Sequence, residues 1–260
     1  MRIQANGINF NYTVDGPEGA PWVVFSNSLA TTFAMWDGQA DALKGKYRVL
    51  RYDQRGHGAT DAPAGRYAFD TLVADAAALM GAVGIKQAHF AGLSMGGATA
   101  LGLAQQHPDK VSGIVVCDSG CMSTPAARQQ WEERIVVAHD KGMAALVEST
   151  MSRWFPPETL AKNPPHLDKV RGMIRATPAN GFIGCAAALG DHNYNAKVAS
   201  VTCPVLFICG EKDGTTPAAM QDMQKRLPGS RYVEMPGAGH ISNMDRPAEF
   251  NKAMAEFLGA

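Results

Sequence analysis

Short apolar runs without a polar face, set between stretches that are apolar on one face only, constrain this chain more than any other feature. Trp22-Val23-Val24-Phe25, the segment 47–52 around Val49 and Leu50, the segment 86–93, Val111 to Cys117 and Val205 to Cys209 are short enough for strands that bury both faces. Phe69, Leu72, Val73, Ala76, Leu79, Met80 and Val83 instead recur at helical spacing, one apolar stripe over about four turns. Strands of that kind alternating with amphipathic helices predict an α/β fold whose mostly parallel, twisted sheet of about eight strands has helices on both faces. Arg2 to Asn6 and Ile8 to Val14, split by Gly7, read as an antiparallel hairpin at one edge. Arg231 to Met235 reads as the last strand, and Phe250, Met254, Phe257 and Leu258 mark a closing helix.

The alternation stops after Asp118. Helical patterns follow at 131–139, 143–154, 167–175 and 181–189, with no convincing strand among them. The expected organisation is therefore a core of residues 1–121 and 198–260 interrupted by a helical cap at 122–197.

Open parallel sheets hold their ligands beyond the carboxyl ends of the strands, so polar residues directly after each strand are the candidates for chemistry. Gly92-Leu93-Ser94-Met95-Gly96 has the form of a nucleophile elbow, a sharp strand-to-helix turn that forces its serine hydroxyl into the open. A serine is almost fully protonated at neutral pH and needs a base. His240, reached from the last strand through Pro236-Gly237-Ala238-Gly239, is that candidate. The imidazole in turn needs a carboxylate to fix its tautomer and carry its transient charge. Asp213, in Gly210-x-x-Asp213-x-x-x-Pro217, is the expected partner, and Asp118 at the end of another strand is the alternative. The amides of Met95, at a helix N-terminus, and Leu29, after the first parallel strand, are candidate donors to a tetrahedral oxyanion. His57, in Asp53-Gln54-Arg55-Gly56-His57-Gly58, reads as a brace between loops.

Other function classes find little support. Lys plus Arg and Asp plus Glu number 24 each, so no net field draws the chain to nucleic acid or an anionic membrane; a small-molecule partner is expected. No histidine shows paired ligand spacing and no Gly-x-Gly-x-x-Gly follows the first parallel strand, so neither a metal nor a dinucleotide cofactor is expected. Five scattered cysteines read as reduced, buried thiols. The N-terminus lacks the apolar stretch of a signal peptide, and a cytoplasmic location is expected.

Several motifs together give a resemblance. Ser26-Asn27-Ser28-Leu29-Ala30-Thr31-Thr32 with Met35-Trp36-Asp37, Arg51 to Gly58, Gly92 to Gly97, Arg153-Trp154-Phe155, Gly181-Phe182 with Gly184 to Ala187, and Gly239 to Asn243 are similar to the α/β-hydrolase superfamily, and within it to its 3-oxoadipate enol-lactonase branch. The resemblance implies opening of a small unsaturated lactone through an acyl-enzyme, in the catabolism of aromatic compounds, without a cofactor. It also implies a free carboxylate on the substrate, for which Trp131, Arg134 and Arg153 are candidates by position. One departure is Gly190-Asp191-His192-Asn193, where related proteins carry Arg-Asp. The alternatives are a carboxylesterase or a lactonase of other specificity, with perhydrolase side activity, and, from another class, a non-enzymatic receptor using the same pocket. Ser94 at the elbow argues against dehalogenases and epoxide hydrolases, which need an aspartate there.

Overall fold

The computed structural model of the protein describes residues 1–260. In chain order the strands are β1 (Arg2–Ala5), β2 (Ile8–Asp15), β3 (Trp22–Ser26), β4 (Arg48–Tyr52), β5 (Ala88–Leu93), β6 (Val111–Cys117), β7 (Val205–Gly210) and β8 (Arg231–Met235). The helices are α1 (Asp37–Leu43), α2 (Phe69–Val83), α3 (Met95–Gln106), α4 (Pro125–Lys141), α5 (Val147–Trp154), α6 (Pro157–Lys162), α7 (Pro165–Ala176), α8 (Ala179–Asp191), α9 (Thr216–Lys225), α10 (Ser242–Asp245) and α11 (Pro247–Leu258). The strands form one sheet in the order β1-β2-β4-β3-β5-β6-β7-β8. The first two pairings are antiparallel, as the hairpin reading anticipated, and all the others are parallel.

Position in the sheet explains the patterning. Every residue of β7 is buried, as are Val23, Val24 and Phe25 of β3, because helices cover the sheet on both faces. At the outer edge only Met235 of β8 is buried, so this strand can carry Arg231 and Glu234. Phe25 stacks on Trp36 at 4.7 Å, and Trp36 meets Phe250 of α11, which ties the terminal helix to the sheet centre. Truncating a buried aromatic of this kind costs about 3–5 kcal/mol.

Between β6 and β7 the chain makes only helices, α4 to α8. An isolated bridge pairs Met122 with Asn193; Ser123 N–H donates to His192 O at 2.9 Å and Tyr194 N–H to Cys121 O at 2.7 Å. These bonds stitch the two ends of the insert together at one place. Two details differ from the periodicity reading. The pattern at 143–154 divides into a 3-10 turn, Met143–Leu146, and α5, and a further short helix, α6, starts at Pro157. A proline ends a helix in its interior but suits the first helical position, where its missing N–H costs nothing. No helix is long and apolar enough to cross a membrane. All five cysteines are free, four of them buried.

Candidate active site

The strand order brings the chemistry together. β3 and β5 are neighbours although β4 intervenes in sequence, so the chain leaves the sheet on opposite sides of this point, where such folds open a crevice. Ser94 follows β5 and initiates α3 with φ 56° and ψ −111°. The two elbow glycines are required by space. A Cβ on residue 92 would lie 2.0 Å from Gly96 O, and one on residue 96 would lie 2.1 Å from Ser26 O. Ser94 N–H donates to Cys117 O at 2.8 Å, and its carbonyl accepts from Ser119 Oγ at 2.8 Å, which anchors the turn to the neighbouring strand end. Ser94, Ala30 and Asp118 are three of the five non-glycine residues with positive φ, and they follow β5, β3 and β6. Strain of about 1–3 kcal/mol per residue thus concentrates beyond the carboxyl ends of three adjacent central strands.

His240 Nδ1 donates to Asp213 Oδ2 at 2.8 Å, leaving Nε2 free for exchange of a proton. Burial by itself lowers the His240 pKa, but the charge and hydrogen bond of Asp213, with a further contribution from Asp118, outweigh it and leave the group above its ordinary value. Asp118 is engaged elsewhere: Gly210 N–H donates to its Oδ1 at 2.7 Å and Ser242 Oγ bonds its Oδ2. Burial, and then the charge of Asp213, push the Asp118 carboxyl well above the usual carboxylate range. Of the two candidate partners, the hydrogen bond to the imidazole is made by Asp213. Asp118, Cys209 and Asp213 bring ligand-type atoms within 4.8 Å of one another, but both carboxylates are already committed to the partners just described.

The loop after β3 carries Leu29. Its N–H meets no acceptor in the protein, and that of Met95, the first residue of α3, has no helical carbonyl one turn back. His57 holds this loop in place: Ala30 N–H donates to its Nε2 at 2.8 Å while its Nδ1 donates to Arg55 O at 3.0 Å. Burial drives its pKa down to about 4, so the neutral tautomer that accepts from Ala30 persists. The brace anticipated from sequence is thus a specific one. Arg55 is held in turn by a two-pronged ion pair with Asp75 of α2, both contacts 2.7 Å.

Ser94 and His240 face a cavity of about 280 Å³ without a direct hydrogen bond between them, a contact that often tightens only with substrate bound. Trp131 and Arg153 from the insert line the same cavity. Arg153 lies over the Trp131 ring, its guanidinium 5.5 Å from the centroid, and has no carboxylate partner. Arg134 is not part of this lining. It sits behind, between the rings of Trp131 and Phe182, and donates to Thr150 Oγ1 at 2.5 Å. Burial, then the nearby charge of Arg153, lower its pKa to about 10. Leu29 and Met95 also lie outside the lining. A wider cleft of about 510 Å³ between Arg66–Asp70 and Asp191–Tyr194 holds no candidate nucleophile.

Two lining or flanking residues were not singled out in sequence. His192, in the departing tetrapeptide, belongs to both cavities; its Nδ1 donates to Leu189 O at 2.8 Å and its buried Nε2 has no partner. Trp154 stacks on His240, with ring centroids 6.0 Å apart. Only the Gly190–Asn193 departure marked the first, and nothing marked the second beyond the Arg153-Trp154-Phe155 motif.

Fold and elbow together define a hydrolase class, and comparison with known proteins agrees. Residues 21–247 match the signature of the alpha/beta hydrolase fold, and the chain belongs to that family. It is an ester-cleaving enzyme. Among similar proteins, 3-oxoadipate enol-lactonase 1 of Acinetobacter baylyi is 35% identical, covering 99% of this chain and 96% of that one. Enol-lactonase 2 of the same organism is 33% identical over 97% and 94%. The crystal structure of the enol-lactonase from Burkholderia xenovorans LB400 superposes with a TM-score of 0.96 at 35% identity, covering both chains completely.

Proposed function

We propose that the protein is a serine hydrolase that opens 3-oxoadipate enol-lactone to 3-oxoadipate, with Ser94 as nucleophile, His240 as base and Asp213 as its partner. What carries the reading is one small cavity lined jointly by Ser94, His240 and Arg153, an arginine without a carboxylate partner. A nucleophile beside an unpaired cation suits an acyl substrate that bears an anion of its own.

Ser94 Oγ attacks the ring carbonyl as its proton passes to His240 Nε2, and the N–H groups of Leu29 and Met95 receive the developing oxyanion. The bond from the acyl carbon to the ring oxygen breaks. That oxygen leaves as an enol, taking the proton from His240, and the enol becomes a ketone within the same tethered acyl chain. A water molecule then gives its proton to His240 and attacks the acyl carbon, and Ser94 Oγ leaves with that proton. One water is consumed and one 3-oxoadipate is released. In this reading the insert at residues 122–197 is a cap, whose Arg153 and Trp131 hold the carboxymethyl end while Arg134 supports them from behind.

The test is opening of the enol-lactone measured beside hydrolysis of 4-nitrophenyl acetate. A specificity constant at least about a hundredfold higher on the lactone is expected, the scale of one charge-assisted anchor. Equal constants would make the protein a carboxylesterase of other specificity.

A further inference from the structure

Arg153 and Trp154 are consecutive residues at the end of α5, and they serve different partners. Arg153 lines the cavity. Trp154 is buried, its carbonyl accepts the His240 N–H at 2.7 Å, and its indole lies against the imidazole with the planes 27° apart. A carbonyl in the last turn of a helix has no partner within the helix and is free to take such a bond. The approach also depends on residue 239 being glycine: a Cβ there would lie 2.1 Å from Trp154 O and 2.9 Å from Pro156 Cδ. The histidine is thus held from the core by Asp213 and from the insert by Trp154.

We propose that Trp154 is a positioning residue for His240, and that an anion held by Arg153 acts through it, because fixing the end of α5 fixes the clamp on the imidazole. The inference rests on the hydrolase reading above. An aromatic face beside the ring also favours its positively charged form, which arises each time His240 holds the Ser94 proton. The other charged and titratable groups toward the histidine are Asp213 after β7, Asp118 after β6 and Arg153 on α5. Behind Gly239 lies Asp245 of α10, which accepts the Gly239 N–H at 3.2 Å and has His166 of α7 at 3.6 Å.

The test uses two esters of equal chain length, the anionic mono-4-nitrophenyl adipate and the neutral 4-nitrophenyl hexanoate. Trp154→Phe, Trp154→Leu, Arg153→Gln and the Arg153→Gln/Trp154→Phe double variant are compared, with kcat expressed per site titrated by a fluorophosphonate so that misfolded protein is not counted. Both Trp154 variants are expected to lose roughly tenfold in kcat on either ester with little change in KM, and Trp154→Leu, which removes the aromatic face, to move the acid limb of the kcat/KM profile to lower pH. Arg153→Gln should raise KM for the adipate ester and lower its kcat, yet lower kcat no further once Trp154 is phenylalanine. Unchanged kcat in both Trp154 variants, with an unmoved acid limb in Trp154→Leu, would overturn the positioning role. An equal kcat loss from Arg153→Gln in both backgrounds would overturn the coupling. Wild-type protein that labels at Ser94 but treats the two esters alike defeats the anionic-substrate reading and the coupling with it, while the hexanoate profiles of the Trp154 variants still decide the clamp. Absence of label on Ser94 defeats the hydrolase mechanism itself.

Discussion

The two ends of the cavity are built on opposite principles. On the sheet side the carboxylates and the bracing histidine near Ser94 already have their partners: Asp213 the imidazole, Asp118 the Gly210 N–H and Ser242, His57 the Ala30 N–H. On the insert side two residues that line the cavity are open: Arg153 has no carboxylate, and the buried Nε2 of His192 has no partner. A satisfied network is rigid and pre-aimed, as transition-state stabilisation requires. An unsatisfied one waits for the ligand to complete it, at some cost to the empty protein. In the proposed reading, chemistry and recognition fall to different parts of one cavity.

Substitutions on the two sides should therefore fail differently. The largest effect is expected from Ser94→Ala, about 10⁶-fold in kcat with no loss of fold, read by ester hydrolysis and circular dichroism. Asp213→Asn should cost about 10⁴-fold in kcat by presenting the wrong imidazole tautomer, with KM nearly unchanged. If Asp118→Asn is instead the more damaging of the two, the roles given to these carboxylates are reversed. On the insert side Arg153→Gln should lower kcat/KM for the anionic adipate ester by about a hundredfold and leave the neutral hexanoate ester almost untouched. An equal loss on both would erase the proposed division of labour.

The smaller effects sharpen it. Burial, and then the charge of Asp213, hold the Asp118 carboxyl of the folded protein well above its ordinary value, whereas the unfolded chain releases the proton near pH 4. Between the two pKa values the native state binds the extra proton, so this group lets stability fall as pH rises, and the fall is complete above the folded pKa. Asp118→Asn should therefore show a smaller drop in Tm from pH 6 to pH 9 than the wild type. Arg134, which touches Trp131 and not the cavity, should matter least: Arg134→Met is expected to raise KM for the adipate ester by roughly threefold, through the lost cation–π support and the lost bond to Thr150.

Much of this was legible from the chain. The parallel sheet, the edge hairpin and the helical stretch between β6 and β7 follow from apolar spacing, because burial on one face or two leaves a direct signature in residue order. Ser94, Asp213 and His240 could be nominated because each stands just beyond a strand, where this kind of sheet opens. The preference for Asp213 over Asp118 rested on a loop pattern. What distinguishes them physically is that Gly210 N–H and Ser242 take the Asp118 oxygens, a contact among three distant segments. Arg134 and Arg153 looked equivalent by position, and only the packing of Trp131 between them separates the one that reaches the cavity. Trp154 left almost no trace, since an aromatic at a helix end reads the same whether it fills a core or holds a histidine.

The residue order by itself thus determined the layers of the fold and nominated Ser94, Asp213 and His240 for the proposed acyl chemistry, since local spacing and residue type carry that information. The tertiary structure alone decided which carboxylate meets the imidazole, which arginine meets the cavity and what holds the histidine in place. Those are matters of a few ångströms between segments far apart in sequence. They depend on strand order, on close approaches such as that at Gly239, and on which hydrogen-bonding groups remain unclaimed once the backbone has closed.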